Sequence, residues 1–316
     1  MNHVFGPVQS RRLGSSLGLD IIPYKVCSFD CVYCECGPTT LRTTERKAWV
    51  SASALLDELA AFFASNPPKL DYITFSGSGE PTLNSELGKM IRGIRSLTSV
   101  PVAVLTNSSL MHLPEVRADL SEADLVVPSL DAATDRTFRL VDRPFPEMNP
   151  ESIIEAIASF RSTYKGKLWL EILFVEGINT SDEEIAALKQ AVERIRPDKL
   201  QVNTVDRPPI FEWVKPVSRE RLHALAERLG YPQAEEVSAR EPLQSRQGRT
   251  HGASVESEQA VLELLKREGP LGASEIAERL NAPLNAVERS LHGLMLRRLV
   301  RCTDLGGRKV YEPDLR

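Results

Sequence analysis

The sequence predicts an α/β protein, a partial (β/α)6 barrel followed by a small α+β domain. Three observations predict it. Six short, nearly continuous apolar runs lie between residues 17 and 205, as expected of parallel strands covered by helices. Stretches with apolar residues three and four apart alternate with those runs. After a polar segment the pattern changes and stays helical almost to the end. With 316 residues, 42% of them hydrophobic and 26% charged, the chain has ordinary globular composition and room for a sizeable core.

The expected strands, in order, are 17–22 (LGLDII), 70–77 (LDYITFSG), 101–107 (PVAVLTN), 123–130 (ADLVVPSL), 167–175 (KLWLEILFV) and 199–205 (KLQVNTV). The expected helices between them are 51–65, 85–97, 150–164 and 181–195, several opening on a Ser or Asp cap. Such units in series imply a parallel sheet with right-handed crossovers. Six strands are too few to close an eight-stranded barrel, so the sheet is expected to be curved and open. The barrel is placed at residues 1–231, a linker poor in large apolar residues at 232–253, and the second domain at 254–316. That domain reads as helices 254–269, 274–283 and 284–299 and a hairpin 300–313 around a Gly-Gly turn. Helix, helix, helix, hairpin resembles a winged helix-turn-helix domain.

Charge and composition exclude several classes. The net charge of -4 gives no bulk attraction to nucleic acid or acidic membrane. The N-terminal residues lack the apolar run of a signal peptide, and no stretch reaches the ~18 apolar residues of a membrane span. The expected location is cytoplasmic, without membrane association. Over residues 254–316, ten Lys and Arg balance ten Asp and Glu. Arg297, Arg298, Arg301, Arg308 and Lys309 nevertheless cluster near the third helix end and the hairpin. Nucleic acid or a protein partner are the two expected uses of this domain, and Cys302 reads as a packed strand residue.

Four of the five cysteines fall within CSFDCVYCEC, residues 27–36. Cysteine in a reducing compartment argues for a metal site or catalysis rather than disulfides. Cys27, Cys31 and Cys34 are spaced CxxxCxxC directly after the first expected strand, at the rim where β/α folds build active sites. Three thiolates suit a [4Fe-4S] cluster with one iron left open. A zinc site with Cys36 as fourth ligand is the other reading. A second motif, FSGSGEPTL at 75–83, follows the second strand. Its Gly77 and Gly79 allow close backbone approach to a ligand, and Glu80 supplies a carboxylate. Further polar residues mark later strand ends: Thr106 and Asn107, Ser129 and Asp131, Glu171, Gly177 and Asn179, then Gln201, Asn203 and Asp206. Arg143 is read as a surface arginine or a contact for a substrate anion.

In this order the motifs resemble the radical S-adenosylmethionine (SAM) superfamily. The resemblance implies that Cys27, Cys31 and Cys34 hold a [4Fe-4S] cluster whose fourth iron takes the methionine amine and carboxylate of SAM. It implies Tyr33 near the adenine, Gly77, Ser78, Gly79 and Glu80 at the SAM ammonium, and Asn107, Ser129 and Asp131 as further SAM contacts, the last two at the ribose. It implies reductive cleavage of SAM to methionine and a 5′-deoxyadenosyl radical that takes hydrogen from a substrate, RNA and peptide being two classes considered. A reductant such as flavodoxin or ferredoxin is then expected as partner. Together CSFDCVYCECG, FSGSGEPTL, SLDAATDRTFR and EILFVEGIN are similar to the branch related to tRNA wyosine synthases. Members of that branch carry upstream cysteines for a second cluster and a lysine that engages pyruvate, whereas this chain has no cysteine before Cys27. Cys36 is a candidate catalytic thiol, a spare ligand or inert. The second functional expectation is a DNA-binding regulator that senses redox state or iron through the cluster.

Overall fold

The computed structural model describes residues 3–205, 211, 213–230, 235–236, 255–282 and, beyond those, 284, 286–287, 290–291, 294, 299–305 and 308–313. The chain forms two compact units, one within His3–Pro242 and one within Leu243–Arg316.

The first unit opens with an antiparallel pair, β1 (Val4–Ser10) and β2 (Gly14–Leu19). A short parallel pair follows, β3 (Val26–Cys27) and β4 (Leu41–Arg42), and it brackets the cysteine loop. Then come α1 (Ala52–Ala64), β5 (Tyr72–Phe75), α2 (Leu87–Leu97), β6 (Val102–Thr106), α3 (Pro114–Leu120), β7 (Leu125–Pro128), α4 (Asp135–Val141), α5 (Pro150–Thr163), β8 (Lys167–Phe174), α6 (Asp182–Ile195), β9 (Lys199–Thr204), α7 (Arg219–Arg228) and β10 (Glu235–Glu236). The sheet order is β1-β2-β5-β6-β7-β8-β9-β10, parallel from β2 onward. It is the curled, open sheet of a partial barrel.

Side chains obey the period-two rule of strands. Val102 and Val104 of β6, Val126 of β7 and Leu168, Leu170 and Ile172 of β8 join the large core beneath the helices. Ala103, Leu105, Leu125, Val127 and Trp169 face the other way, into the barrel, where Leu13 from the β1–β2 turn packs among them. Side-chain oxygens of Ser51, Thr134, Asn149, Ser181 and Ser218 cap α1, α4, α5, α6 and α7. Each satisfies a backbone N–H that the first turn leaves without an internal partner.

The structure departs from the sequence expectation at the front of the barrel. The first parallel strand is Gly14–Leu19, not 17–22. The strand ends at Leu19; beyond it the Asp20 N–H donates to the His3 carbonyl, the Asp20 carboxylate accepts from Ser78, and Pro23 has no N–H to continue a ladder. Ile21 and Ile22 are buried in the connecting loop instead. The six expected parallel strands are joined by β1 at one edge and β10 at the other. β1 was masked in the sequence by Gly6-Pro7, a pair that an edge strand tolerates. Three shorter helices, α3, α4 and α7, had no counterpart among the expected ones.

The second unit contains α8 (Val255–Glu268), α9 (Ala273–Leu280) and an antiparallel hairpin of β11 (Val300–Leu305) and β12 (Arg308–Pro313). The described residues between 284 and 294 are helical. Val261, Leu264, Leu265, Ile276, Leu291, Leu294 and Val300 build a core of its own. Most of the expected linker 232–253, the Gly306-Gly307 turn, Asp206, Arg297 and Arg298 lie outside the described residues, as do the side chains of Cys302, Arg308 and Lys309.

Candidate active site

The cysteine loop leaves β3 and runs over the C-terminal end of the first parallel strands. Cys27, Cys31, Cys34 and Cys36 are all free and half-buried. The loop is pinned on both sides. The Lys25 N–H donates to the Ser78 carbonyl at 3.2 Å and the Glu80 N–H to the Val26 carbonyl at 3.3 Å, so the SGSGE segment lies directly against the loop. On the far side, Asp30 N–H donates to the carbonyls of Asp142 and Arg143, and Val32 N–H to Val141.

This close approach explains the glycines. A Cβ on Gly79 would stand 2.2 Å from the Val26 carbonyl oxygen. A Cβ on Gly77, whose φ is +154°, would stand 2.4 Å from the Asp20 carboxylate. The sequence reading gave both glycines to a ligand. The structure gives their missing side chains to the protein's own atoms, because two chain segments are held together here.

Glu80 is held by neighbouring donors. It is buried, and its Oε1 accepts from Thr82 N–H at 3.0 Å, Thr82 Oγ1 at 2.6 Å and Thr106 Oγ1 at 2.7 Å. Its Oε2 accepts from the Asn107 N–H at 2.7 Å. Burial pushes the carboxyl up, and these four donors pull it back. The carboxylate is therefore occupied in tying the SGSGE turn to the end of β6. Asn107, so placed, extends its Nδ2 to Ser28 Oγ at 2.9 Å and to Cys27 Sγ at 3.4 Å.

Tyr33, between the second and third thiols, donates its hydroxyl to Asp131 Oδ2. Asp131 Oδ1 accepts from the Leu173 N–H at 2.7 Å. Burial pushes the Asp131 carboxyl up to about 7 against these two donors. Tyr33, Asn107, Ser129 and Asp131 line one pocket of about 40 Å³ with Phe29, Phe138 and Asp142. Four residues assigned from sequence to SAM thus meet in one place, although 98 positions separate Tyr33 from Asp131. Gly77, Ser78, Gly79 and Glu80 are not in this lining, and of these Glu80 bonds Asn107, which is.

Several neighbours had no sequence assignment. Lys25 is buried at 2% exposure, and its Nζ donates to Cys34 Sγ at 3.0 Å. Burial works against its charge, yet the Cys34, Cys27 and Cys36 sulfurs outweigh burial and raise its pKa. The hydrogen bond from Cys36, aided by Lys25 and opposed by burial, holds the Cys34 thiol well below the usual range. Donating that bond, and then burial, push Cys36 far up. Burial, opposed by Lys25, pushes Cys27 up to about 11. Burial and then Asp142 raise Cys31, whose Sγ donates to Asp142 Oδ1 at 3.6 Å. The PYKVC string held a signal for Lys25, a lysine two positions before the first cysteine. Arg12 held none: it reaches from the β1–β2 turn to pair with Glu171 of β8, which also accepts from Asn203 Nδ2.

Two other polar positions have structural partners. Asn179 is fully buried; its Nδ2 donates to the Asp131 and Leu173 carbonyls, and its Oδ1 accepts from Val175 N–H. Arg143 lies 5.1 Å from the Phe211 ring and 5.9 Å from the Trp213 ring, with Asp30 at 3.8 Å.

The donor set fits a cluster. Three thiols lie on one loop beside a buried cation that balances thiolate charge. Zinc needs its ligands about 2.3 Å from one centre, whereas the cubane spreads its thiolates over separate irons.

A partial barrel with a three-thiol loop at its strand ends, a glycine-rich turn against that loop and a polar pocket beside it defines a cluster-bearing barrel of the SAM-binding kind. The family model of the radical SAM superfamily matches residues 21–188. A UPF0026 protein of Methanocaldococcus jannaschii is 37% identical over 217 residues, 68% of this chain and 67% of that protein. A protein of Brachyspira hyodysenteriae named GTPase Obg is 42% identical over 219 residues, 69% of this chain but 32% of that one, so this chain spans about a third of its length. A radical SAM methyltransferase from Sphaerobacter thermophilus shares the fold, with a TM-score of 0.52 at 17% identity over 70% of this chain and 65% of that one. The chain belongs to the radical SAM superfamily of enzymes, and its cofactors are a [4Fe-4S] cluster and SAM.

Proposed function

We propose that this protein cleaves SAM reductively at a [4Fe-4S] cluster held by Cys27, Cys31 and Cys34 and abstracts hydrogen from a substrate. One observation carries the reading: Tyr33, inside the cysteine loop, walls the same pocket as Asn107, Ser129 and Asp131. When bound, the cluster and SAM supply the electron and the adenosyl radical, and the protein supplies position and shielding. Tyr33 offers a ring face for adenine. Ser129 and Asp131 stand where ribose hydroxyls would be received, with Asp131 oriented by Tyr33 and Leu173. Glu80 acts at one remove, holding Asn107 against Cys27. Phe29 and Phe138, edge to face at 5.4 Å, give the pocket an apolar wall that would exclude water from bound SAM.

We assign residues 1–231 to the catalytic barrel and 254–316 to a winged-helix domain that presents substrate or binds a partner. RNA and peptide are the two substrate classes to test. Flavodoxin or ferredoxin is the proposed reductant, and the cytoplasm the proposed location.

The test is anaerobic reconstitution followed by incubation with SAM and dithionite. Formation of 5′-deoxyadenosine that is lost in Cys27→Ala, Cys31→Ala and Cys34→Ala is the expected result. Cleavage that persists in those variants would overturn the reading. Deuterium transfer into 5′-deoxyadenosine from labelled RNA, peptide or metabolite fractions would then identify the substrate class.

A further inference from the structure

We propose that Asn179 and Glu184 are positioning residues for SAM: they clasp the loop 129–134 from behind and fix the pocket wall it forms, an inference resting on Ser129 and Asp131 as SAM contacts. Ser129, Leu130, Asp131 and Ala132 make one wall of the pocket. That wall is loop, lying between the end of β7 and the start of α4. Loops are more mobile than the elements they join, so a wall made of loop needs an external hold to keep a fixed distance to a ligand.

Two fully buried side chains from the segment after β8 supply that hold. Asn179 Nδ2 donates to the Asp131 carbonyl at 2.8 Å and to the Leu173 carbonyl at 2.7 Å, and its Oδ1 accepts from the Val175 N–H at 2.7 Å. It thereby ties the loop to the end of β8. Glu184 Oε1 accepts from the Ala133 N–H and, at 3.3 Å, from the Thr134 N–H, and its Oε2 accepts from the Thr134 hydroxyl. The spacing Ser181-x-x-Glu184 is that of a capping box, in which the glutamate turns back to the cap of its own helix. Ser181 does cap α6, accepting from the Glu184 N–H at 3.2 Å, but the carboxylate is directed across to Thr134, 50 positions away. Neither Asn179 nor Glu184 lines the pocket. One hydroxyl apart, these bonds go to main chain, so they fix where the loop runs and leave the side chains of Ser129 and Asp131 at the pocket. A shift of about 1 Å in a binding group weakens both binding and rate.

The test uses the reconstituted full chain with SAM itself as the probe. Glu184→Gln turns an amide donor toward Ala133 and Thr134. Asn179→Asp keeps the acceptor for Val175 and removes both donors. Each is expected to load iron like the natural protein, to bind SAM roughly tenfold more weakly in equilibrium dialysis, to raise KM for SAM to match, and to keep kcat for 5′-deoxyadenosine formation. In the SAM-free protein, amide exchange at residues 129–134 should quicken. Asp124→Asn is the control: its carboxylate accepts from the Val102 N–H at 2.8 Å, at the start of β6, and its loss should lower stability without moving KM. Unchanged SAM affinity in the loaded clasp variants overturns the proposal. An equal rise of KM in Asp124→Asn overturns it too, since lost stability would then account for the effect. Should Glu184→Gln fail to fold, Asn179→Asp decides on the same terms. Asp131→Ala separates the two layers: if it leaves SAM affinity unchanged, the SAM reading of this wall fails and the clasp falls with it. If it weakens SAM and the clasp variants do not, the clasp alone falls.

Discussion

The Tyr33 hydroxyl donates to the Asp131 carboxylate, joining the cysteine loop to the end of β7. Removing the donor in Tyr33→Phe leaves one oxygen of a buried carboxylate without its partner. The expected cost is about 1–3 kcal/mol in unfolding free energy, measured by denaturation of the apo-protein. SAM affinity should fall with it, as read by equilibrium dialysis of the reconstituted enzyme.

The same carboxyl predicts a pH dependence. Burial raises Asp131 from 3.8 to about 7 in the folded state. Between those values the folded protein holds a proton that the unfolded chain has released. Its contribution to stability is therefore full below about 4 and is lost as pH rises through about 7. Asp131→Asn removes the titration. The stability difference between the natural protein and this variant should shift against the natural protein from acid to neutral pH; a difference constant across that window would refute the assignment.

Glu80→Ala should do more damage than its distance from the pocket suggests. The donors of Thr82, Thr106 and Asn107 lose a shared acceptor in a buried site. A loss of about 3 kcal/mol or more is expected, since several buried groups are left unsatisfied at once. Glu80→Gln keeps one oxygen but turns an amide donor toward other donors, so an intermediate loss is expected in the same urea melts.

Gly79→Ala tests the approach of the two segments. The new methyl would meet the Val26 carbonyl, which is backbone and adjoins Cys27. Iron loading should fall sharply, whereas Gly177→Ala, whose added methyl meets nothing within 4 Å, should load normally despite the strain of its positive φ.

Arg12 and Glu171 offer a separate stability test. The pair is about three-quarters or more buried, with side-chain exposures of 25% and 13%. Arg12→Met, Glu171→Gln and the double variant form a cycle. A coupling above about 1 kcal/mol is expected for groups in direct contact; additivity within a few tenths would show that the pair contributes nothing.

Much of this protein was legible from one dimension. Nearly continuous apolar runs and helix-period stretches marked the six parallel strands, the first of them displaced to Gly14–Leu19, because such patterns follow from backbone geometry and burial. The spacing of Cys27, Cys31 and Cys34 pointed to the superfamily, since all three thiols come from one loop. SGSGE was recognisable as a string, but its work was not. Whether Glu80 faces a ligand or Asn107 depends on where β6 ends beside it, 27 residues away. The partnership of Arg12 with Glu171 spans 159 positions and exists because the β1–β2 turn enters the barrel. Lys25 stands two positions before Cys27 in the string, but only burial beside Cys34 made its charge matter. Periodicity and motif spacing are local properties that a string carries. Burial and long-range pairing arise when the parallel register brings distant strand ends to one rim, and there the electrostatic environment of each group is settled.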